Sequence, residues 1–135
     1  MLTTTVLLVD DSPLFLAQTS VWLSRESDIQ VVGSAASAAE AIALVEWLKP
    51  RVVLMDISMP DMNGIEATRR LKLLPHAPAV LMLTLHGDPA YRAAAKAAGA
   101  EGFLSKNDFA TELLPCLRRV CCETAKSAAD DGGRA

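Results

Sequence analysis

Two short apolar runs that end in acids, Val6-Leu-Leu-Val-Asp-Asp11 and Val52-Val-Leu-Met-Asp56, decide the fold of this 135-residue chain. Apolar residues fill consecutive positions in both runs, which is typical of strands buried on both faces of a parallel sheet. Because helices must cover both faces of such a strand, the two runs together predict an α/β fold.

Three further apolar runs complete the pattern, over Ile29–Val32, Ala79–Leu83 and Gly102–Ser105, and Gly33 is expected to close the second strand. Helical patterns follow the strands, so that five strands alternate with five helices. This order predicts a five-stranded parallel sheet, doubly wound (flavodoxin-like), with helices on both faces. The functional site of such a sheet lies beyond the carboxyl ends of its strands.

Several of the predicted helices begin with a recognisable cap. Ser12-Pro13 supplies an N-cap and a first-turn proline, Ser37 and Glu40 form a capping box, and Asp108 can cap the last helix. The first helix is expected to turn four side chains toward the core: Leu14, Ala17, Val21 and Leu23.

The last helix is expected to run to about Ala125. A kink or a late start is expected within it because Pro115 removes a backbone donor. The pattern therefore predicts one domain over residues 1–125, followed by a flexible tail or linker stub over residues 126–135.

Charge and hydropathy argue against several functions. The formal net charge is -3 and no Lys/Arg cluster stands out, which argues against nucleic-acid binding by this chain itself. No apolar run approaches the roughly 18 residues that suggest a membrane span, and no secretory signal is visible. Three cysteines follow no metal-binding spacing, and we expect them to be reduced thiols of a cytoplasmic protein: Cys116, Cys121 and Cys122.

The ends of four predicted strands carry the residues that point to chemistry. They are Asp10, Asp11, Asp56, Thr84, Ser105 and Lys106. Three carboxylates brought together repel one another unless a cation intervenes, and a hard divalent ion with oxygen ligands, Mg²⁺, is the natural partner. Such an ion, a lysine and a hydroxyl around one carboxylate form a site for phosphoryl transfer, with Asp56 as the attacking group.

Four segments at these strand ends resemble the receiver domain of bacterial response regulators: Leu7-Leu-Val-Asp-Asp-Ser12, Leu54-Met-Asp-Ile-Ser-Met-Pro60 with Gly64, Leu83-Thr84 and Gly102-Phe-Leu-Ser-Lys106. The resemblance covers nearly the whole chain. It implies a CheY-like fold, phosphoryl transfer from a sensor histidine kinase, and control of an output by a conformational change. The expected role is that of a phosphoacceptor regulatory domain and not of an enzyme.

The resemblance also implies which residues form the site. Asp56 accepts the phosphoryl group, Asp11 and Asp56 ligate Mg²⁺ directly together with the Ser58 carbonyl oxygen, and Asp10 holds the ion mainly through water. Thr84 moves toward the phosphoryl group on activation, where Lys106 pairs with that group.

Three positions are expected to modify this switch. Phe103 matches the aromatic residue that swings inward with the hydroxyl in the family, although a plain core phenylalanine is an equally good interpretation. Ser58 and His86 each follow a site residue by two positions and are expected to tune the phosphate lifetime. A solvated loop histidine is the alternative for His86.

Within the family, the sequence is similar to receivers attached to helix-turn-helix effectors of the NarL/FixJ type. Lys106 is followed by Asn107 where many receivers have proline, and Gly99-Ala-Glu-Gly-Phe103 fits the same subgroup. The subgroup implies control of transcription through an absent or separate DNA-binding domain. A homodimer formed on phosphorylation is also an expectation, which Pro115 and Cys116 count against because the last helix is a common dimer surface in the family.

Three alternatives stay open from the sequence. One is a stand-alone receiver that signals by docking to a partner protein, and another is a degenerate receiver, which the complete set of site residues disfavours. The third is an aspartyl-nucleophile phosphatase. Such enzymes generally carry a second acid two residues after the nucleophile, where this chain has Ser58.

Overall fold

Strands and helices follow one another in the predicted order in the computed structural model, which describes residues 3–85 and 89–120. The strands are β1 (Thr4–Val9), β2 (Ile29–Ala35), β3 (Val52–Asp56), β4 (Ala79–Thr84) and β5 (Gly102–Ser105). The helices are α1 (Pro13–Leu23), α2 (Ala38–Leu48), α3 (Gly64–Lys72), α4 (Pro89–Ala97) and α5 over residues 109–120. In this part of the chain no helix is long and apolar enough to cross a membrane.

All five strands lie parallel in one sheet with the order β2-β1-β3-β4-β5. This confirms the predicted doubly wound sheet. The order changes direction between β1 and β3, so the crevice of the fold opens where these two strands end. Acidic residues occupy both strand ends, which places them at the position where such folds carry their site.

The sheet separates two apolar layers. One layer, which includes Val53 and Val80, packs against α2, α3 and α4. The other, which includes Leu54 and Leu81, packs against α1 and α5. Strands β3 and β4 are buried at every position, so close packing on both faces fixes the end of β3 and the direction in which Asp56 points.

The predicted N-caps of α1 and α2, Ser12 and Ser37, are confirmed. Ser12 Oγ accepts a hydrogen bond from the Phe15 N–H at 3.2 Å, and Ser37 Oγ accepts one from the Glu40 N–H at 3.2 Å. Each bond satisfies a backbone donor that the first turn of a helix cannot pair internally. These caps set where each helix leaves the edge of the sheet.

The predicted inner face of α1 is wrong in three of its four residues. Leu14 and Val21 are 66% and 58% exposed and Ala17 is also exposed, whereas Leu23 is buried as predicted. Apolar residues occur on every side of α1, so their spacing does not identify a single inner stripe. Tertiary packing makes that choice, and it turns Thr19 inward instead.

The prediction that Gly33 closes β2 is also wrong. The strand continues to Ala35, and its pairing with β1 shifts at Val32, which is an extra residue on β2. Gly33 lies within the strand and packs closely against α2. A Cβ at this position would lie only 3.0 Å from Leu48 Cδ1. The glycine therefore permits a close approach of helix to strand and does not end the strand.

Helix α5 begins at residue 109 and includes Pro115, so a start delayed to the proline is wrong. The backbone carbonyl of Asp108 accepts hydrogen bonds from the Thr111 and Glu112 N–H groups, which starts the helix ahead of the proline. The predicted helix end near Ala125 and the tail over residues 126–135 lie outside the described residues.

Gly64→Ala is expected to lower the free energy of unfolding by about 1–3 kcal/mol. A Cβ at this position would lie 2.4 Å from the Asp56 backbone oxygen and 2.9 Å from Ile57 Cα. Backbone atoms at the end of a buried strand cannot move without moving the strand. Urea unfolding measures the loss.

Gly33→Ala is the matched control. Here the nearest atoms are the ends of the Leu48 and Leu7 side chains, at 3.0 and 3.4 Å, and flexible ends can yield. We expect the unfolding free energy to change by less than about 1 kcal/mol. Equal losses in the two variants would contradict the close backbone approach at Gly64.

Candidate functional site

The carboxyl ends of the strands bring the predicted polar residues to one edge of the sheet. Asp10 and Asp11 follow β1, Asp56 ends β3, Thr84 ends β4 and Lys106 follows β5. Strand β1 pairs with β3, and β3 with β4, in parallel register. The residues that the sequence placed at separate strand ends therefore lie side by side.

Three of these residues form an acidic cluster, defined as Asp10, Asp11 and Asp56. Each offers a carboxylate oxygen, and these oxygens all lie within 4.8 Å of one another. Asp10 is 1% exposed and Asp56 is 6% exposed, whereas Asp11 faces solvent. Two carboxylates are thus withdrawn from water while the third remains accessible to ions from solution.

Lys106 reaches from the end of β5 into the acidic cluster. Its Nζ donates to Asp10 Oδ2 at 2.5 Å and lies 3.6 Å from Asp56 Oδ1. Its backbone N–H donates to the Thr84 carbonyl at 2.7 Å, which ties the end of β5 to the end of β4. The single ammonium group therefore neutralises Asp10 more directly than Asp56.

Phe15 is a site neighbour that the sequence did not reveal. Lys106 Nζ lies 4.4 Å from the centroid of the Phe15 ring, at cation–π distance, and the same ring packs edge-on against Phe109 at 5.3 Å. The N-cap at Ser12 could have indicated this position in the sequence. It places Phe15 in the first turn of α1, next to the acids that follow β1. The ring helps to hold the lysine over the cluster.

Within the acidic cluster, the carboxyl group of Asp56 has a raised pKa. The pKa of its carboxyl group is raised from 3.8 to about 6, first by burial, then by the neighbouring charge of Asp10 and, to a smaller extent, by that of Asp11. Lys106 and the backbone N–H of Ser58 act in the opposite direction without cancelling these effects. Asp56 therefore carries a carboxylate whose charge the protein only partly compensates.

The donor set of the acidic cluster fits a hard divalent cation. Three carboxylate oxygens within 4.8 Å of one another match the oxygen ligands that Mg²⁺ and Ca²⁺ prefer. A cation placed there would supply the compensation that Asp56 lacks. Ser58 is exposed in the loop after β3, and its backbone N–H forms a hydrogen bond with the Asp56 carboxylate.

The other predicted site residues lie in different surroundings. Thr84 is buried at the edge of the sheet. Phe103 is half-buried and packs against the layer under α2, α3 and α4, with the Arg92 guanidinium 5.0 Å from its ring centroid. This position is outside the acidic cluster and leaves both interpretations of Phe103 open. His86 lies outside the described residues.

Cys121 and Cys122 lie outside the described residues, whereas Cys116 is half-buried and its Sγ accepts a hydrogen bond from the Arg119 guanidinium at 3.6 Å. The Cys116 side chain lines a groove of about 710 Å³ between α4 and α5, together with Arg92, Lys96 and Phe103. The acidic cluster is not part of that groove, so the two features are separate.

Comparisons with known proteins agree with the fold. A family model described as the response regulator receiver domain matches residues 6–118. The response regulator protein VraR of Staphylococcus aureus is 41% identical over 122 residues, which cover 88% of this chain and 57% of VraR. The chain thus spans little more than half the length of this relative.

Two solved structures are similar throughout the domain. A LuxR-family two-component response regulator from Aurantimonas sp. SI85-9A1 superposes with a TM-score of 0.85 at 32% identity, over 90% of this chain and 86% of that protein. The signal receiver domain of a response regulator named NarL from Mycobacterium tuberculosis gives 0.83 at 31% identity, over 88% and 96%. Both similarities favour the predicted NarL/FixJ type.

Asp56→Asn is expected to stabilise the metal-free protein at neutral pH. The folded state raises the pKa of Asp56 to about 6, so above that pH it holds a carboxylate that the unfolded chain carries at less cost. We expect a gain of about 1–2 kcal/mol in the free energy of unfolding, allowing for solvent screening of the shift. Folded Asp56 takes up a proton near pH 6, so the gain should shrink as the pH falls from about 6 toward 3.8.

Asp28→Asn provides a control of opposite sign. Asp28 is partly exposed, and a hydrogen bond from Arg118 lowers the pKa of its carboxyl group. Its removal should therefore reduce stability at neutral pH. Chemical denaturation in a chelating buffer measures both variants, and a destabilised Asp56→Asn would contradict the uncompensated charge.

Proposed function

This chain belongs to the response regulator receiver domain family of two-component systems, and we propose that phosphorylation of Asp56 is the event that switches it. The observation that carries the proposal is the position of Asp56, at the end of a fully buried strand within 3.6 Å of Lys106 Nζ. Its partly compensated negative charge marks it as the nucleophile among the three acids. Asp10 is already paired with the lysine, and Asp11 faces solvent.

We propose that Asp10, Asp11 and Asp56, with the Ser58 carbonyl oxygen, hold Mg²⁺. The bound ion supplies positive charge for the equatorial oxygens of the transferring phosphoryl group. Lys106 supplies charge from the β5 side, and the Thr84 hydroxyl can donate a hydrogen bond from the end of β4. The chain thus surrounds one nucleophile with donors and positive charge, which is the main requirement for phosphoryl transfer.

The phosphodonor in this proposal is a phosphohistidine of a sensor histidine kinase. An Asp56 carboxylate oxygen attacks phosphorus, the P–N bond breaks, and the imidazole leaves with the electron pair of that bond. Hydrolysis of the resulting acyl phosphate returns Asp56 to its carboxylate. In this proposal the chain carries out only its own phosphorylation and dephosphorylation, as a member of a regulatory family.

The switch in this proposal follows from the new charge on Asp56. The phosphoryl oxygens offer Lys106 and Thr84 partners that the free carboxylate does not, which biases a two-state equilibrium of the domain. Phe103 is the candidate for the aromatic residue that responds to Thr84. Its ring is partly buried against the apolar layer that includes α4. An inward or outward movement of the ring would therefore change its surroundings.

The output proposed for the switch is transcription, exerted by a DNA-binding domain outside this chain. This rests on the LuxR-family and NarL relatives and on the greater length of VraR. With a net charge of -3 the chain itself is a poor ligand for DNA. The cytoplasm as location and a homodimer formed on phosphorylation belong to the same proposal, and docking to a separate partner protein is the alternative output.

Asp56→Asn is expected to abolish phosphorylation by a small phosphodonor. Parent protein incubated with Mg²⁺ and acetyl phosphate should gain one base-labile phosphoryl group, measured by intact mass. Omission of Mg²⁺ should prevent the gain, because nothing else then offsets the charge of the acidic cluster.

Asp28→Asn is the control for that experiment. It removes an aspartate near the amino end of β2, away from the acidic cluster, and should be phosphorylated like the parent. An adduct that persists in Asp56→Asn would mean that another residue is the acceptor. Absence of an adduct in the folded parent, together with failure to bind beryllofluoride, would contradict the proposed function as a whole.

His86 and Ser58 are expected to set the lifetime of the phosphate. Each follows a site residue by two positions, where a side chain can order or block an attacking water. We expect His86→Ala and Ser58→Ala to change the dephosphorylation rate by about 10-fold or less, since neither side chain supplies the nucleophile. The decay of the adduct in intact mass measures the rate, and rates equal to the parent's would remove both residues from this role.

A further inference from the structure

Asp61 bridges two segments that lie apart in the chain. Its Oδ1 accepts a hydrogen bond from the Ala38 N–H at 2.9 Å, and its Oδ2 accepts one from the Ala39 N–H at 3.0 Å. These are the first amides of α2, and their bonds hold the pKa of Asp61 below its usual range. Asp61 itself belongs to the loop between β3 and α3, defined as residues 57–63.

The bridge is more than the cap that α2 requires. Ser37 already occupies the N-cap position and accepts the Glu40 N–H. Asp61 adds bonds to the two preceding amides from a segment 23 residues away. Water or a nearby side chain can satisfy the first amides of a helix, so a partner from this sequence distance also restrains the loop that carries it.

That loop carries backbone groups next to the proposed acceptor. It leaves β3 at Asp56, and the Ser58 N–H interacts with the Asp56 carboxylate. The loop is fixed near each end, because the Ile57 N–H donates to the Leu83 carbonyl at 2.9 Å and the Gly64 N–H to the Ile57 carbonyl at 2.8 Å. Between these points Ser58 is exposed, and Asp61 provides a fixed point on the outer side.

The same helix is connected to the other side of the cluster. The Asp10 N–H donates to the carbonyl of Ala35 at 3.0 Å, and Ala35 ends β2 three residues before α2 begins. A continuous path therefore runs from Asp10 through the start of α2 to Asp61 and along the loop to Asp56.

We propose that Asp61 is a positioning residue of the acidic site, whose two bonds to α2 hold residues 57–63 so that the Ser58 backbone stays beside Asp56 for a divalent cation. Asp61 touches neither the cation nor the phosphoryl group. The inference rests on the proposed function and assigns to Asp61 the support of the loop on which metal binding depends.

Three variants test the inference through Mg²⁺ affinity, followed by amide shifts of ¹⁵N-labelled protein during a MgCl₂ titration. Asp61→Ala removes both acceptors, and we expect about 10-fold weaker binding, as for other residues that support metal ligands indirectly. Asp61→Asn keeps one acceptor oxygen and should lose less. Ser37→Ala removes a cap from the same helix without releasing the loop and should bind like the parent.

Amide hydrogen exchange in the metal-free proteins gives a second readout. Asp61→Ala should speed the exchange of the Ser58 amide, whereas Ser37→Ala should leave it unchanged even if both variants melt a few degrees lower than the parent. A role limited to helix stability predicts the same exchange in both.

Results that contradict the role of Asp61 differ from results that contradict the proposed function. Mg²⁺ affinities equal to the parent's in Asp61→Ala would overturn the inference, as would an Asp61→Asn as weak as Asp61→Ala, which would assign the effect to lost charge. If the parent protein binds no Mg²⁺, the proposed function is contradicted. In that case, unchanged exchange of the Ser58 amide in Asp61→Ala would also contradict the restraint of the loop.

Discussion

Repulsion among three carboxylates at the ends of β1 and β3 is the constraint on which the rest of the site depends. Asp10 and Asp56 are almost completely removed from water, where neighbouring like charges interact more strongly than in solution. One lysine serves both, and it lies closer to Asp10 than to Asp56. The chain therefore leaves one carboxylate undercompensated, and this imbalance is what makes a divalent cation and a phosphoryl group favourable partners.

The fold tolerates this repulsion because packing, and not the charges, determines where the acids lie. Strand β3 is buried at every position between two apolar layers, and Gly64 lets α3 begin directly against the backbone at its end. Each bulky residue buried on these faces contributes roughly 1.5–3 kcal/mol. A few such residues outweigh the cost of one raised carboxyl pKa, so the site can retain an electrostatic strain that a less rigid scaffold would relieve by moving apart.

The sequence predicted those features that depend on local pattern. Buried strands appear as unbroken apolar runs, and β5 has the predicted bounds, whereas β4 extends one residue beyond its predicted end. The acidic cluster was predictable because the carboxyl ends of parallel strands meet at one edge. The inner face of α1 was not, because a helix that is apolar all round has no stripe for a pattern to detect.

The features that the sequence did not predict are contacts between segments far apart in the chain. Lys106 pairs with Asp10 across 96 residues and Asp61 with Ala38 across 23. Phe15 lies under the lysine only because α1 and β5 flank the same strand ends. A motif can name the residues of a site, but which carboxylate the lysine prefers depends on distances of about 1 Å that no spacing in the sequence encodes.

The pairing of Lys106 also indicates how a change at Asp56 can reach the surface. Its ammonium group is shared between two carboxylates, while its backbone N–H is bonded to Thr84 at the end of β4. In the proposed function, new negative charge on Asp56 competes with Asp10 for that ammonium group. Any displacement of Lys106 acts on the ends of β4 and β5 together, because the bond to Thr84 joins them. The groove between α4 and α5 is lined by β5 residues, Phe103 among them, so in the proposed function a displacement of Lys106 would reach that surface through β5.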